Sequence, residues 1–370
     1  MNSSKTIPDP PQERLLSLDF FRGLTMFLLI AEFTHLFGYL VDSSLEGTFI
    51  YSIGKQLHHH PWNGLRFWDL IQPFFMFIVG VAIPLSVDKR MRRGQQYPDL
   101  LRHAVVRSVL LLVLGWGLYV IDAGQIVFRF QNVLAQLAVT YLIAFVLVNR
   151  PIKTQLLVSF ALLALTELLY RLFPVEGFNQ PFTPNQNFGT WLDMLYGGEN
   201  LRGHWVSFNA IPTAAHTIWG VLAGKLLMSE RTAGQKIRIL VIAGVIGLVL
   251  GYGLNPVTPI IKRISTTTFV LASGGWTVLA LAFSYWLVDM RKIQGFALFF
   301  AIVGMNPLFI YLFAHTGGAD YIEKIIHPFS MALFGWTGEI PAGIITSSIV
   351  LFLLWYICHW LYRKSIYIKI

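Results

Sequence analysis

Charge is scarce in this chain. Of its 370 residues 13% are Asp, Glu, Lys or Arg, against roughly a quarter in an ordinary soluble domain, which excludes a water-soluble globule. Cysteine is all but missing: the single Cys358 excludes a disulfide framework and a cysteine-based metal cage. No internal repeat and no low-complexity tract is present. The segment before Glu13 lacks the basic start, short apolar core and small-residue cleavage site of a removable signal peptide. What the chain has in excess is apolar side chains, at 55%. They fall in runs that exceed what one globular core can bury, so the bilayer acts as solvent for most of the surface.

About 20 apolar residues cross the hydrocarbon as a helix. On that rule the sequence predicts an all-α, polytopic membrane bundle of about ten spans. These are 17–41, 67–87, 103–121, 132–148, 154–172, 209–228, 237–254, 265–288, 295–314 and 340–362. The shorter amphipathic stretch 321–336 reads as interfacial or re-entrant, an eleventh partial span. Residues 1–16 form a tail, and 17–370 a single membrane domain.

With the amino terminus inside, twenty of the 28 basic residues fall on the cytoplasmic side. They include the cluster Lys89, Arg90, Arg92, Arg93, Arg102 and Arg107. Eight remain outside, among them Lys262 and Arg263. The positive-inside rule therefore places both termini in the cytoplasm, and the net charge of +9 reports topology, not nucleic-acid binding. Two outside segments, 42–66 and 173–208, are long and rich in Gly, Asn, aromatics and His, which is where function concentrates.

Ionisable groups at bilayer depth cost at least ~2.5 kcal/mol each and default to functional hypotheses. Asp19 and Arg22 share one face of the first helix near its cytoplasmic end, as a structural ion pair or a phosphate holder. Glu32 and His35 repeat that spacing further on. The densest feature is His58-His59-His60-Pro61-Trp62-Asn63-Gly64, followed by Asp69, Gln72 and Pro73. Consecutive side chains diverge, so three neighbouring histidines do not make a zinc site. One of them as a base, taking a proton from an amine or hydroxyl and oriented by Asp69, is the chemical alternative to a solvated polar loop. Gln136, Thr140, His216, the Thr266 to Thr268 run, Asn306 and His315 are individually weak candidates. Hydroxyls are commonly satisfied on the preceding turn, and one buried Asn often only joins helices.

The opening Arg14-Leu15-Leu16-Ser17-Leu18-Asp19-Phe20-Phe21-Arg22-Gly23 resembles the entry to the first span of the heparan-alpha-glucosaminide N-acetyltransferase family and its bacterial relatives. The similarity continues through His59-x-x-Trp62-Asn63-Gly64-Leu65, Asp69-Leu70 and Pro73-x-Phe75-x-Phe77-Ile78-x-Gly80. It returns at Pro259-x-x-Lys262, at Gly304-Met305-Asn306 with Tyr311, and at Tyr362-Arg363-Lys364. The resemblance implies a multi-pass enzyme of the inner membrane that moves an acetyl group from cytosolic acetyl-CoA to the amine of a glucosamine-type sugar outside. It puts the active histidine on His59, as general base or acyl carrier, with Asp69 beside it. Trp62, Asn63, Glu32 and Asn306 are expected on the acceptor side. Asp19, Arg22, Arg107, Lys225 and Lys262 are expected to hold CoA. Bilayer, CoA and amino sugar are the partners, a homodimer is compatible, and no metal or nucleic acid is expected. Departures occur where Phe33 stands beside Glu32 and where span four reads Leu134-Ala135-Gln136-Leu137. The large lumenal amino-terminal domain of animal members has no counterpart, so a cell-wall or chitin-derived amino sugar replaces heparan sulfate as the expected acceptor. A sugar or lipid-linked-sugar carrier, with Asp19, Arg22, Glu32 and His35 lining its path, is the competing expectation.

Overall fold

The computed structural model describes residues 15–124, 128–195 and 203–368, and among them every named element is helical. The first half comprises α1 Leu16–Glu32, α2 Leu36–Tyr39, α3 Phe49–Gln56, α4 Ile71–Arg92, α5 Tyr97–Ala123, α6 Val133–Leu147, α7 Ile152–Arg171 and α8 Phe188–Leu195. The second comprises α9 Ala210–Met228, α10 Ala233–Gly253, α11 Thr267–Ser284, α12 Ala297–Val303, α13 Pro307–Phe313, α14 Ala319–Phe334 and α15 Glu339–Arg363. This is a polytopic helical membrane protein.

The span count is lower than the sequence predicts. Among the described residues six helices are long and apolar enough to cross a bilayer, or up to seven when a bent pair is taken as one. α1 and α6, at 17 and 15 residues, fall short of the length needed. α9 is long enough but diluted by Thr213, His216, Thr217 and Lys225. The expected span 17–41 breaks after Glu32, where His35 takes a left-handed backbone (φ 61°) and the chain restarts as α2. The expected span 295–314 is likewise two helices: α12 stops at Gly304, and the path turns by 67° before running on through α13 and α14. Pro307 opens α13 at the position where its missing N–H costs nothing. The stretch 321–336 lies in α14 and the turn after it, with Tyr321, Ile325, Phe329 and Leu333 exposed at i, i+4 intervals.

α4 and α11 form the centre, and α10 the periphery: 72% and 61% of their apolar windows are buried, against 11% for α10. α4 lies close against α9 because glycines meet there. A Cβ on Gly80 would sit 2.1 Å from the Thr217 carbonyl oxygen, and one on Gly220 2.2 Å from that of Phe77. Such small-residue contacts let backbones approach where no hydrophobic drive operates between helices. α4 rises about 33 Å over its 22 residues, so its ends lie about a hydrocarbon thickness apart. One end carries Lys89, Arg90 and Arg92; the other follows directly on the turn Phe67–Leu70 that holds Asp69.

Candidate active site

The loop 57–66 is anchored to a chain segment two hundred residues away. Asn63 forms an isolated antiparallel bridge with Ile261, and Gly64 N–H donates to the Ile260 carbonyl at 2.8 Å. Trp62 packs into a cluster with Phe208, Ile261 and Ile264, and its indole N–H donates to the Phe182 carbonyl at 2.8 Å. The bridge sets the register that delivers Lys262 to His59.

Asp69 is the hub. Its side chain is 1% exposed, and its carboxylate accepts from His59 Nδ1 at 2.9 Å, His60 N at 3.2 Å and Arg66 N at 2.9 Å. Lys262 Nζ lies 3.8 Å from Asp69 Oδ1 and 3.2 Å from His59 Nδ1. Arg66 Nη1 holds the His59 carbonyl at 3.1 Å, and the Trp205 ring meets the imidazole edge-on at 5.2 Å. A carboxylate at 2.9 Å requires a proton on Nδ1, because a lone pair there would face the anion directly. The proton of the neutral ring is thereby assigned to Nδ1, leaving Nε2 as an acceptor with no partner among the described residues.

Burial, and then the Lys262 charge, push the His59 imidazole down to about 4. Burial also lowers Lys262, to about 8, against the opposing pull of Asp69 and Glu32. At neutral pH the site therefore holds a neutral imidazole, an anionic Asp69 and a cationic Lys262. Glu32 belongs to the same neighbourhood: its carboxylate accepts from the Trp68 indole at 3.2 Å, and Trp68 precedes Asp69.

The remaining predicted residues lie elsewhere. Arg22 and Arg107 line a cavity of about 580 Å³ that also touches Arg90, His103, Tyr141 and Tyr311. Asp19 pairs with Arg22 at 3.4 Å. The Arg107 guanidinium sits 4.9 Å above the Tyr141 ring, and its buried Nε has no hydrogen-bond partner, an orphaned donor suited to an anionic oxygen. Asn306 is fully buried and committed to the chain's end, donating to the Ile366 carbonyl at 3.0 Å and accepting from Ile368 N–H at 2.8 Å. It is not brought to His59. Lys225 faces a separate shallow pocket with Pro84 and Asp88. Lys262 stands beside His59 and Asp69 and does not line the cavity that holds Arg22 and Arg107. The Asn63 residue is exposed, and its side chain has no hydrogen bond among the described residues. Trp205 was missed by sequence reading, since nothing local marks an aromatic that packs on a histidine 146 positions away; Arg66 was read only as a topology charge.

Comparisons with known proteins show the family. The sequence matches the family described as "Heparan-alpha-glucosaminide N-acetyltransferase, catalytic" over residues 14–255. Heparan-alpha-glucosaminide N-acetyltransferase of Homo sapiens is 26% identical over 430 aligned residues, 98% of this chain and 60% of the human protein. The Mus musculus protein of that name is 32% identical over 143 residues, 36% of this chain and 19% of its own length. The chain thus spans about 60% of the length of the human relative.

Proposed function

The chain belongs to the heparan-alpha-glucosaminide N-acetyltransferase catalytic family, and on that basis we propose that it transfers acetyl from cytosolic acetyl-CoA to the amine of a glucosamine-type sugar on the outer side of the bilayer. One observation carries the reading: the two ends of α4 are equipped for the two halves of such a reaction. One face of α4, through Arg90, Ser86, Val79 and Phe75, lines the cavity that holds Arg22 and Arg107. The opposite end leads to Asp69 and the free Nε2 of His59.

CoA fits the cavity by its chemistry. Its phosphates match the orphaned Arg107 Nε and the neighbouring Arg22 and Arg90, its pantetheine arm matches the apolar lining, and 580 Å³ is within the range of small-molecule sites. At the other end, His59 Nε2 takes a proton from the acceptor amine as the nitrogen bonds to the thioester carbon. When the C–S bond breaks, the imidazolium returns that proton to the CoA sulfur, giving amide and free thiol. His59 as transient acyl carrier, with acetyl passing first to Nε2 and then to the amine, uses the same atoms. Asp69 fixes the ring in either route, and Lys262 keeps it unprotonated. The acceptor is an amino sugar of the cell wall or a chitin-derived one, and the membrane is the bacterial inner membrane.

The test is transfer of radiolabelled acetyl from acetyl-CoA to glucosamine and a panel of amino sugars by the purified protein in detergent. Label in sugar is expected. An unlabelled panel, together with no thermal stabilisation by CoA, overturns the reading in favour of a carrier.

The site's charges predict a pH dependence. His59 is neutral, and so able to act as a base, above about pH 4, and kcat/KM should fall as the pH drops through that value. The ammonium opposes protonation of the imidazole, so Lys262→Met should let His59 bind its proton at higher pH. The acid limb is expected to move up toward the ordinary histidine value of about 6.5. Because the acceptor's own titration is common to both proteins, comparing their profiles isolates the shift.

A further inference from the structure

A series of carboxamides runs from the neighbourhood of the cavity toward His59. On α4 the residues Arg90, Ser86, Val79 and Phe75 line the cavity in turn. Gln72 is the next on that face, and Asp69 lies one turn beyond it. On α6 the cavity reaches Val133, Leu134 and Leu137, and between these sits Gln136, 1% exposed. The two glutamines link the helices, Gln72 Nε2 donating to Gln136 Oε1. The orientation is fixed from behind. Gln136 Nε2 donates to the Gln131 carbonyl at 3.1 Å, so its oxygen faces Gln72, which must present an N–H. Gln131 carries the network on, donating to Asp193 Oδ2 at 2.9 Å and to the Trp205 carbonyl at 3.0 Å. Trp205 in turn packs on His59.

Resting on the donor path argued above, we propose that the Gln72–Gln136 pair is the acyl gate. It parts to admit the thioester, Gln72 donates an N–H to the thioester carbonyl, and the space left between α4 and α6 sets the length of acyl chain accepted. A neutral amide suits the position. A buried carboxylate there would repel CoA, and a buried cation would hold its phosphates instead of the carbonyl, whereas an amide polarises the carbonyl as negative charge develops on it. Gln72 has the capacity, because its second N–H and its carbonyl oxygen make no hydrogen bond among the described residues.

The experiment uses the full chain in detergent with acetyl-, propionyl- and butyryl-CoA and whichever amino sugar the wild type acetylates. Gln72→Ala enlarges the gate and should raise the butyryl-to-acetyl ratio of kcat/KM by about tenfold or more, the scale of one to two methylenes in a fitted pocket. Gln72→Leu keeps the volume but removes the donor, and should lower kcat for acetyl-CoA about 10²-fold with CoA-induced stabilisation unchanged, because the phosphate end is untouched. Wild-type donor ratios and kcat in both variants, or losses that only track lowered thermal stability, overturn the gate and make the pair a structural cross-link. Absence of CoA-induced stabilisation in the wild type overturns the donor path and the gate together.

Discussion

His59→Ala should lower acetyl transfer by roughly 10²- to 10⁴-fold, the contribution of a positioned general base, while leaving thermal stability and stabilisation by CoA as in the wild type. The expectation follows from how the loop is held. His59 contributes to its own anchoring through its backbone, whose carbonyl accepts from Arg66 at 3.1 Å. The next residue's N–H donates to Asp69, and the Asn63 to Ile261 bridge pins the loop further on. None of these contacts needs an imidazole. The side chain is a third exposed, so truncation opens little core, and Asp69 keeps its two backbone donors and Lys262. The arginines of the cavity lie toward the other end of α4, so the proposed phosphate contacts of CoA should be untouched. Steady-state transfer, thermal unfolding and CoA titration of one preparation check all three statements. A variant that unfolds would make His59 a structural residue, and one that still transfers would move the base elsewhere, His58 being the next in the loop.

The pairing of His59 with Asp69 was legible because it is short-range. A carboxylate ten positions after a histidine, across a Pro-Trp-Asn-Gly turn, has few other partners within reach. The helical membrane fold was legible for the same reason, since apolar runs declare themselves locally. Continuity was not legible. Apolar content says nothing about the left-handed His35 that ends the first helix, nor about the bend at Asn306. At the second break the backbones are close: a Cβ on Gly304 would meet the Gly23 N and Cα at about 3 Å. The charge pattern puts Lys262 on the outer side, but its contact with His59 is not local: the Asn63–Ile261 bridge, between residues 198 positions apart, brings it there. Asn306 was drawn toward the chemistry by its polarity, yet its carboxamide is spent on the backbone of residues 366 and 368.

Asp69 should be the costliest single position, and its two replacements should fail differently. Asp69→Ala removes the carboxylate that serves two backbone N–H groups, the His59 ring and the Lys262 ammonium. Lys262, with a side chain 6% exposed, would be left with the more distant Glu32 charge, and breaking a buried ion pair in this way costs about 3–5 kcal/mol. The variant should unfold at markedly lower temperature and transfer nothing measurable. Asp69→Asn keeps the shape and one carbonyl oxygen. If that oxygen stays with the His60 and Arg66 N–H groups, its NH₂ faces His59 Nδ1. The ring then accepts at Nδ1 and carries its proton on Nε2, which is the wrong end for taking a proton from an amine. Transfer should fall roughly 10⁴-fold, the scale of a tautomer error at a base, with smaller loss of stability than in the alanine variant. Adding Lys262→Met to Asp69→Asn separates the two effects. With no buried ammonium left unpaired, stability should recover toward the wild type, and transfer should not. Recovery of both would mean that Asp69 serves only to neutralise Lys262, and recovery of neither would mean that the carboxylate holds the loop through its backbone donors alone.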